Sequence, residues 1–92
     1  MKICVVALGK IGLPLAVQFA SKGHQVIGAD VNAKTVDLVN AGHEPFPGEA
    51  YLDEKLADVV SRGLLTATTD TPAAVAQAEA VADLIHARTT LA

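Results

Sequence analysis

Residues 2–12 read KICVVALGKIG, and the succession of residue types within this stretch decides the fold. Lys2 to Leu8 carry a short, nearly unbroken apolar run that stops at Gly9, the pattern of a parallel strand buried on both faces. Immediately behind it, Ile11, Leu15, Ala16, Phe19 and Ala20 recur at helical spacing as far as Lys22, and Gly23 supplies the residue that closes a helix. Pro14 falls in the first turn, where backbone N–H groups lack an intrahelical partner in any case. A buried strand that passes directly into an amphipathic helix is the first half of a parallel crossover unit.

Working outward, Gln25 to Ala29 (QVIGA) predicts a second strand, with Asp30 at its carboxyl end and Asn32 as the N-cap of a helix over 33–41. Gly42 stops that helix. The segment HEPFPGEA (43–50) is expected as a loop, followed by a helix from Tyr51 to Arg62 with Leu52, Leu56, Val59 and Val60 on one side. Leu64 to Thr69 (LLTATT) reads as a third strand, and Asp70, Thr71 and Pro72 form a capped helix start. From there Ala74, Val75, Ala78, Val81, Ala82 and Ile85 keep a helical period, which predicts one long helix reaching about Arg88 and no fourth strand. The expected architecture is α/β, a half Rossmann unit of order β-α-β-α-α-β-α. Its three-stranded parallel sheet has the order 3-2-1 and fills a single domain over 1–92.

With 92 residues, 51% of them hydrophobic, the chain is expected to build one small core of marginal stability. Its formal charge of −3 is scattered, and no Lys or Arg run forms a nucleic-acid or anionic-membrane footprint, which disfavours nucleic-acid binding. Gly9, Lys10, Gly12 and Pro14 interrupt the one stretch resembling a secretory leader, and no apolar segment approaches the roughly 18 to 20 residues of a bilayer span. A soluble, cytoplasmic protein is the expectation. The lone cysteine, Cys4, excludes an internal disulfide and falls inside a buried strand, where a thiol acts as a small inert hydrophobe. His24, His43 and His86 show no ligand spacing with one another or with Cys4, so neither a metal site nor a catalytic constellation is expected.

The turn between the first strand and helix, Ala7-Leu8-Gly9-Lys10-Ile11-Gly12, matches the dinucleotide fingerprint G-x-G-x-x-G at its second and third glycines. Gly9 lets the backbone approach a pyrophosphate resting on the helix N-terminus, with Lys10 and Ile11 completing the cradle, and Gly12 lets the helix pack close to the strand. A glycine-rich turn also serves packing alone. Ala7 stands where the tight turn usually has glycine, and its methyl group is expected to crowd the turn or the adenosine side. Asp30, eighteen residues beyond Gly12 and at the end of the next strand, is placed to accept both ribose hydroxyls of NAD. The same carboxylate repels a 2′-phosphate, and no Arg follows in Val31-Asn32-Ala33, so NAD is favoured over NADP.

These residues carry a resemblance to a known family. MKICVVALGKIGLPLAVQFASKGHQVIGADVN, then VDLVNAGHEPFPGEA, then Leu52 to Asp70 ending in GLLTATTD, resemble the UDP-glucose, GDP-mannose and UDP-N-acetylmannosamine dehydrogenases over about the first 78 residues. The resemblance implies an NAD-binding segment in which Gly9, Gly12 and Asp30 hold the cofactor, with Glu49 matching a family carboxylate and the glycine usual at position 7 absent. Members oxidise a sugar alcohol twice, to the carboxylate, with two NAD molecules and a cysteine far beyond this domain. Cys4 does not match that cysteine, so the chain by itself is expected to be inactive.

The last residues, QAEAVADLIHARTTLA (77–92), instead resemble a helix of the tRNA-modification GTPases, without any G-x-x-x-x-G-K-[ST] loop. This suggests a foreign helix and a recombined or engineered chimera. The alternative function is therefore a self-assembling structural module with no ligand. A missing fourth strand would remove one wall of the nicotinamide crevice and leave strand one as a free edge. A homodimer through antiparallel pairing of strand one with its copy is the resulting expectation.

Overall fold

β1 (Lys2–Val6) occupies the middle of the sheet, as an apolar run without alternation requires. The computed structural model of the chain describes residues 1–45, 50–83 and 88–91. Behind β1 come α1 (Gly12–Ser21), β2 (Gln25–Ala29), α2 (Ala33–Asn40) and α3 (Ala50–Ser61). β3 (Leu65–Thr68), α4 (Thr71–Gln77), β4 (Ala80–Asp83) and β5 (Arg88–Leu91) complete the order. The sheet runs β3-β2-β1-β4-β5. β1 to β4 are mutually parallel, and β5 pairs antiparallel with β4. This is the expected α/β, Rossmann-like arrangement, with the order 3-2-1 retained and extended on its far side.

The two sheet faces bury separate clusters. On one, Ile3, Val5 and Leu8 meet Leu13, Ala16, Val17 and Ala20 of α1, Val39 of α2, and Leu52, Leu56 and Val59 of α3. On the other, Cys4, Val6, Ala29 and Val81 lie with Ala74 of α4 and Ala78 beyond its end. Successive β1 side chains alternate between the clusters, so the strand is buried on both sides, and Cys4 is a fully buried core residue as expected. The helix starts follow the sequence signals. Asn32 caps α2 by accepting from Lys34 and Thr35 N–H, and Asp70 caps α4 by accepting from Ala73 N–H. Gly42 ends α2 at φ +78, and a Cβ there would stand 3.2 Å from Ala57 Cα, so both conformation and space require glycine.

Beyond Gln77 the sequence reading needs correction. The helix begun at Thr71 stops there, Ala78 turns extended at ψ 146, and Ala80–Asp83 form a fourth strand. Ile3 aligns with Ala80, Cys4 with Val81, Val5 with Ala82 and Val6 with Asp83. Glu79 N–H donates to Lys2 carbonyl at 2.8 Å and starts this pairing. The physical reason is the unpaired row of polar groups that β1 would otherwise carry, which is costlier than the loss of helix in an alanine-rich segment. With β2 on one side and β4 on the other, β1 has no free edge, so the pairing on which the homodimer expectation rested is made within the chain. Residues 84–87, including Ile85 and His86 of the expected helix, lie outside the described residues, as does Glu49. Among the described residues no helix is long and apolar enough to cross a membrane.

Candidate functional site

The turn after β1 is held from below by β2. Ala7 N–H donates to Ala29 carbonyl at 2.7 Å, and Leu8 N–H donates to Asp30 Oδ2 at 2.8 Å. Leu8 itself folds inward and is 1% exposed, so the middle of the fingerprint belongs to the core. Gly9, Lys10 and Ile11 then come to the surface, and Gly12 opens α1 as a buried residue. Ile11, assigned to the apolar helix face by its spacing, is instead the N-cap of α1 and 76% exposed. It has no side-chain acceptor, so no cap covers the first turn of α1. With Ala7, Gly9, Lys10 and Gly12 it lines an open cavity of about 260 Å³. Within that turn Leu13 N–H donates to Gly9 carbonyl at 3.0 Å and Pro14 has no N–H, so what the helix start offers an anion is its favourable dipole and the exposed backbone from Gly9 to Gly12.

Gly9 separates the packing and ligand explanations of the glycine pattern. A Cβ built there would meet no atom within 4 Å, and its φ is not in the left-handed region, so neither the chain's packing nor its conformation demands glycine. The bare backbone there is open to close approach from outside the chain. Ala7, by contrast, adopts φ +78, the conformation for which the family's glycine is suited, and is the one non-glycine residue with positive φ among those described. The expected effect of its methyl on the turn is thereby located: it strains the backbone.

Asp30 uses both carboxylate oxygens on the backbone, Oδ2 for Leu8 N–H and Oδ1 for Asn32 N–H at 2.9 Å. A carboxylate offers about four lone-pair positions, so after these two bonds it still has acceptors for a pair of hydroxyls. It borders a second cleft of about 280 Å³ with Val6, Ala7, Ala29, Val31 and Thr71. Ala7 lines both cavities, so the fingerprint turn separates a space beside the carboxylate from a space beside the helix start. Val31, 87% exposed, offers an apolar wall next to Asp30.

The sequence signals therefore converge: Gly9, Lys10, Ile11, Gly12 and Asp30 stand around one end of the parallel strands. What the sequence did not reveal is that Asp30 organises the turn as well as facing the cleft, and that Thr71, distant in sequence, closes the same cleft. The only advance signal for Thr71 was its place at a capped helix start. The remaining candidates stay apart from the site. His24 is half-buried and meets Phe19 edge-on, with ring centroids 6.4 Å apart, and Cys4 lies within the core. No His, Cys, Asp or Glu cluster suited to a metal occurs among the described residues.

Comparison with known proteins agrees with this geometry. A sequence model described as "UDP-glucose/GDP-mannose dehydrogenase family, NAD binding domain" matches residues 1–86. The match thus runs into the 77–92 stretch that by sequence resembles another family. UDP-N-acetyl-D-mannosamine dehydrogenase of Campylobacter jejuni is 49% identical over 70 residues, which are 74% of this chain and 16% of that protein. The crystal structure of a ternary complex of GDP-mannose dehydrogenase from Pseudomonas aeruginosa superposes with a TM-score of 0.88 at 29% identity, covering 98% of this chain and 22% of that one. A UDP-glucose dehydrogenase from Pyrobaculum islandicum gives a TM-score of 0.83 at 36% identity, covering 89% of this chain and 19% of that one. The chain spans less than a quarter of the length of these proteins.

Proposed function

Since this chain belongs to the UDP-glucose/GDP-mannose dehydrogenase family, as a part of its NAD binding domain, we propose that it holds the adenosine and pyrophosphate of NAD for an oxidoreductase acting on a nucleotide sugar. The observation that carries the reading is Gly9, a glycine that the chain's own packing and conformation leave unexplained, next to an uncapped helix start and a carboxylate with acceptors to spare. In this reading the backbone from Gly9 to Gly12, with Lys10 and Ile11 at its rim, receives the pyrophosphate at the start of α1. Asp30 accepts the two ribose hydroxyls, and its charge disfavours a 2′-phosphate. When bound, NAD supplies the hydride acceptor. In this reading the described residues contribute binding and orientation, and the chain, which spans less than a quarter of the length of its relatives, binds cofactor by itself without turning over a sugar nucleotide.

Titration of the ¹⁵N-labelled chain with NAD tests this. Saturable shifts at Leu8, Gly9, Gly12 and Asp30 are expected, weaker with NADP and lost in Asp30→Ala. Absence of any shift at millimolar NAD would refute it.

A further inference from the structure

Of the glycines whose surroundings are defined, the one approached most closely by the fingerprint turn is not in the turn. Gly28 lies in β2, a strand interior that glycine weakens, and such a glycine marks a close approach by another part of the chain. Here the approach is made by Leu8. A Cβ at position 28 would stand 2.7 Å from both Leu8 Cδ1 and Cδ2 and 3.2 Å from Cγ. Because both methyl groups are equally close, rotating the end of the side chain only exchanges one clash for the other. Leu8 is 1% exposed in a close-packed core, so its neighbours restrict any rearrangement of the side chain and favour relief by displacement of the residue. Leu8 cannot move alone. Its N–H is bonded to Asp30 Oδ2, its predecessor's N–H to Ala29 carbonyl, and its successor is Gly9.

We infer that Gly28 is a positioning residue for the cofactor: its bare backbone seats Leu8, and through Leu8 it sets the height of the fingerprint turn above β2 and the spacing between Gly9 and the Asp30 carboxylate. One strand thereby supplies both the seat and the ribose acceptor two residues further on, so turn and carboxylate keep a fixed relation. The inference rests on the NAD reading only for its effect on affinity. The seating of the turn is tested without any ligand.

Gly28→Ala, Leu8→Ala and the double variant Leu8→Val/Gly28→Ala are compared with the unaltered chain. Two quantities are read: exchange of the amide proton at position 8 relative to that of Val5 in β1, and the dissociation constant for NAD. Loss of a hydrogen bond to a charged acceptor corresponds to about tenfold or more, so Gly28→Ala is expected to speed relative exchange at position 8 and weaken NAD binding by about that factor. The double variant, which removes the methyl groups at 2.7 Å but keeps a γ carbon near the 3.2 Å position, is expected to recover part of both. Unchanged exchange in Gly28→Ala, or a double variant no better than the single, overturns the inference. If Gly28→Ala does not fold, Leu8→Ala decides. Faster relative exchange at position 8 supports the seating role, whereas a destabilised chain with that amide still protected makes Leu8 a core residue and nothing more. If the unaltered chain binds no NAD, the functional reading fails, while the exchange measurements still decide whether Gly28 seats the turn.

Discussion

Replacing Ala7 by glycine isolates the strain at the cofactor turn. At φ +78 the Cβ of an L-residue crowds its own backbone, at a cost of about 1–2 kcal/mol. Glycine removes that cost and introduces another, because the unfolded chain gains freedom worth about 0.4–1 kcal/mol. Losing a half-buried methyl group costs a further fraction of the roughly 0.8 kcal/mol assigned to a buried one. Ala7→Gly is therefore expected to leave stability unchanged or raise it by up to about 1 kcal/mol. The Ala7 N–H bond to Ala29 is main-chain and survives the change. Ala67→Gly provides the reference, being half-buried in β3 with negative φ, so there the same substitution brings only the penalties, about 1 kcal/mol. Urea denaturation of the two variants, at equal m-value, measures the gap between them, expected at about 1–2 kcal/mol and equivalent to about 4–8 °C in Tm for each kcal/mol. If Ala7→Gly destabilises the chain as much as Ala67→Gly, there is no strain to relieve and the reasoning fails.

Three further substitutions probe other parts of the argument. Asn40 donates from Nδ2 to Ala67 carbonyl at 2.9 Å and accepts from Ala67 N–H at 2.8 Å, acting as a one-residue substitute for a neighbouring strand on the outer side of β3. Asn40→Ala is expected to cost about 1–2 kcal/mol and to promote self-association through the uncovered edge, read by denaturation and sedimentation velocity. Val81→Ala separates strand from helix: in β4 it loses two methyl equivalents from a buried site, about 1.5–2.5 kcal/mol, whereas in a helix alanine would be the better residue, so a gain in Tm would contradict the fourth strand. Asn32→Ala removes the cap that receives Lys34 and Thr35 N–H and is expected to destabilise by about 1 kcal/mol without altering the NAD-induced shift at Gly9.

The legible elements were those in which local and tertiary preferences agree. β1 and β2 have the apolar content of buried parallel strands, and α1, α2 and α3 have an apolar stripe, a start signal or a terminating glycine at the right place. β4 was hidden because its preferences conflict. The stretch Gln77 to Asp83 is dominated by alanine and has a single β-branched residue, Val81, so every local signal favours helix. Those same alanines suit a strand lying between helices on opposite faces, where small side chains let both layers approach. Ala80 and Ala82 face the α1 and α3 cluster, while Val81 faces the α4 cluster. What decided the outcome was the need of β1 for a second partner. That need was readable from the sequence, but a copy of the chain and the chain itself satisfy it equally well on paper. In the folded chain β4 supplies that partner.

For the candidate site, the sequence indicated which residues share one end of the sheet but not how they are held together. Spacing alone placed Gly9, Gly12 and Asp30 at neighbouring strand ends, since parallel strands with right-handed crossovers bring successive carboxyl ends to one side. It gave no sign that Asp30 is engaged by the turn it faces, or that Leu8 is seated on a glycine of the next strand, because both facts depend on the register of β1 against β2. Val5 lies opposite Gly28 and Val6 opposite Ala29, so the chain leaving β1 passes over the end of β2. A shift of one residue would turn Leu8 toward a different β2 position and move its N–H away from the Asp30 carboxylate. The geometry of the candidate site is in this sense a consequence of strand register, and the residues that fix the register belong to that candidate site as much as those that line it.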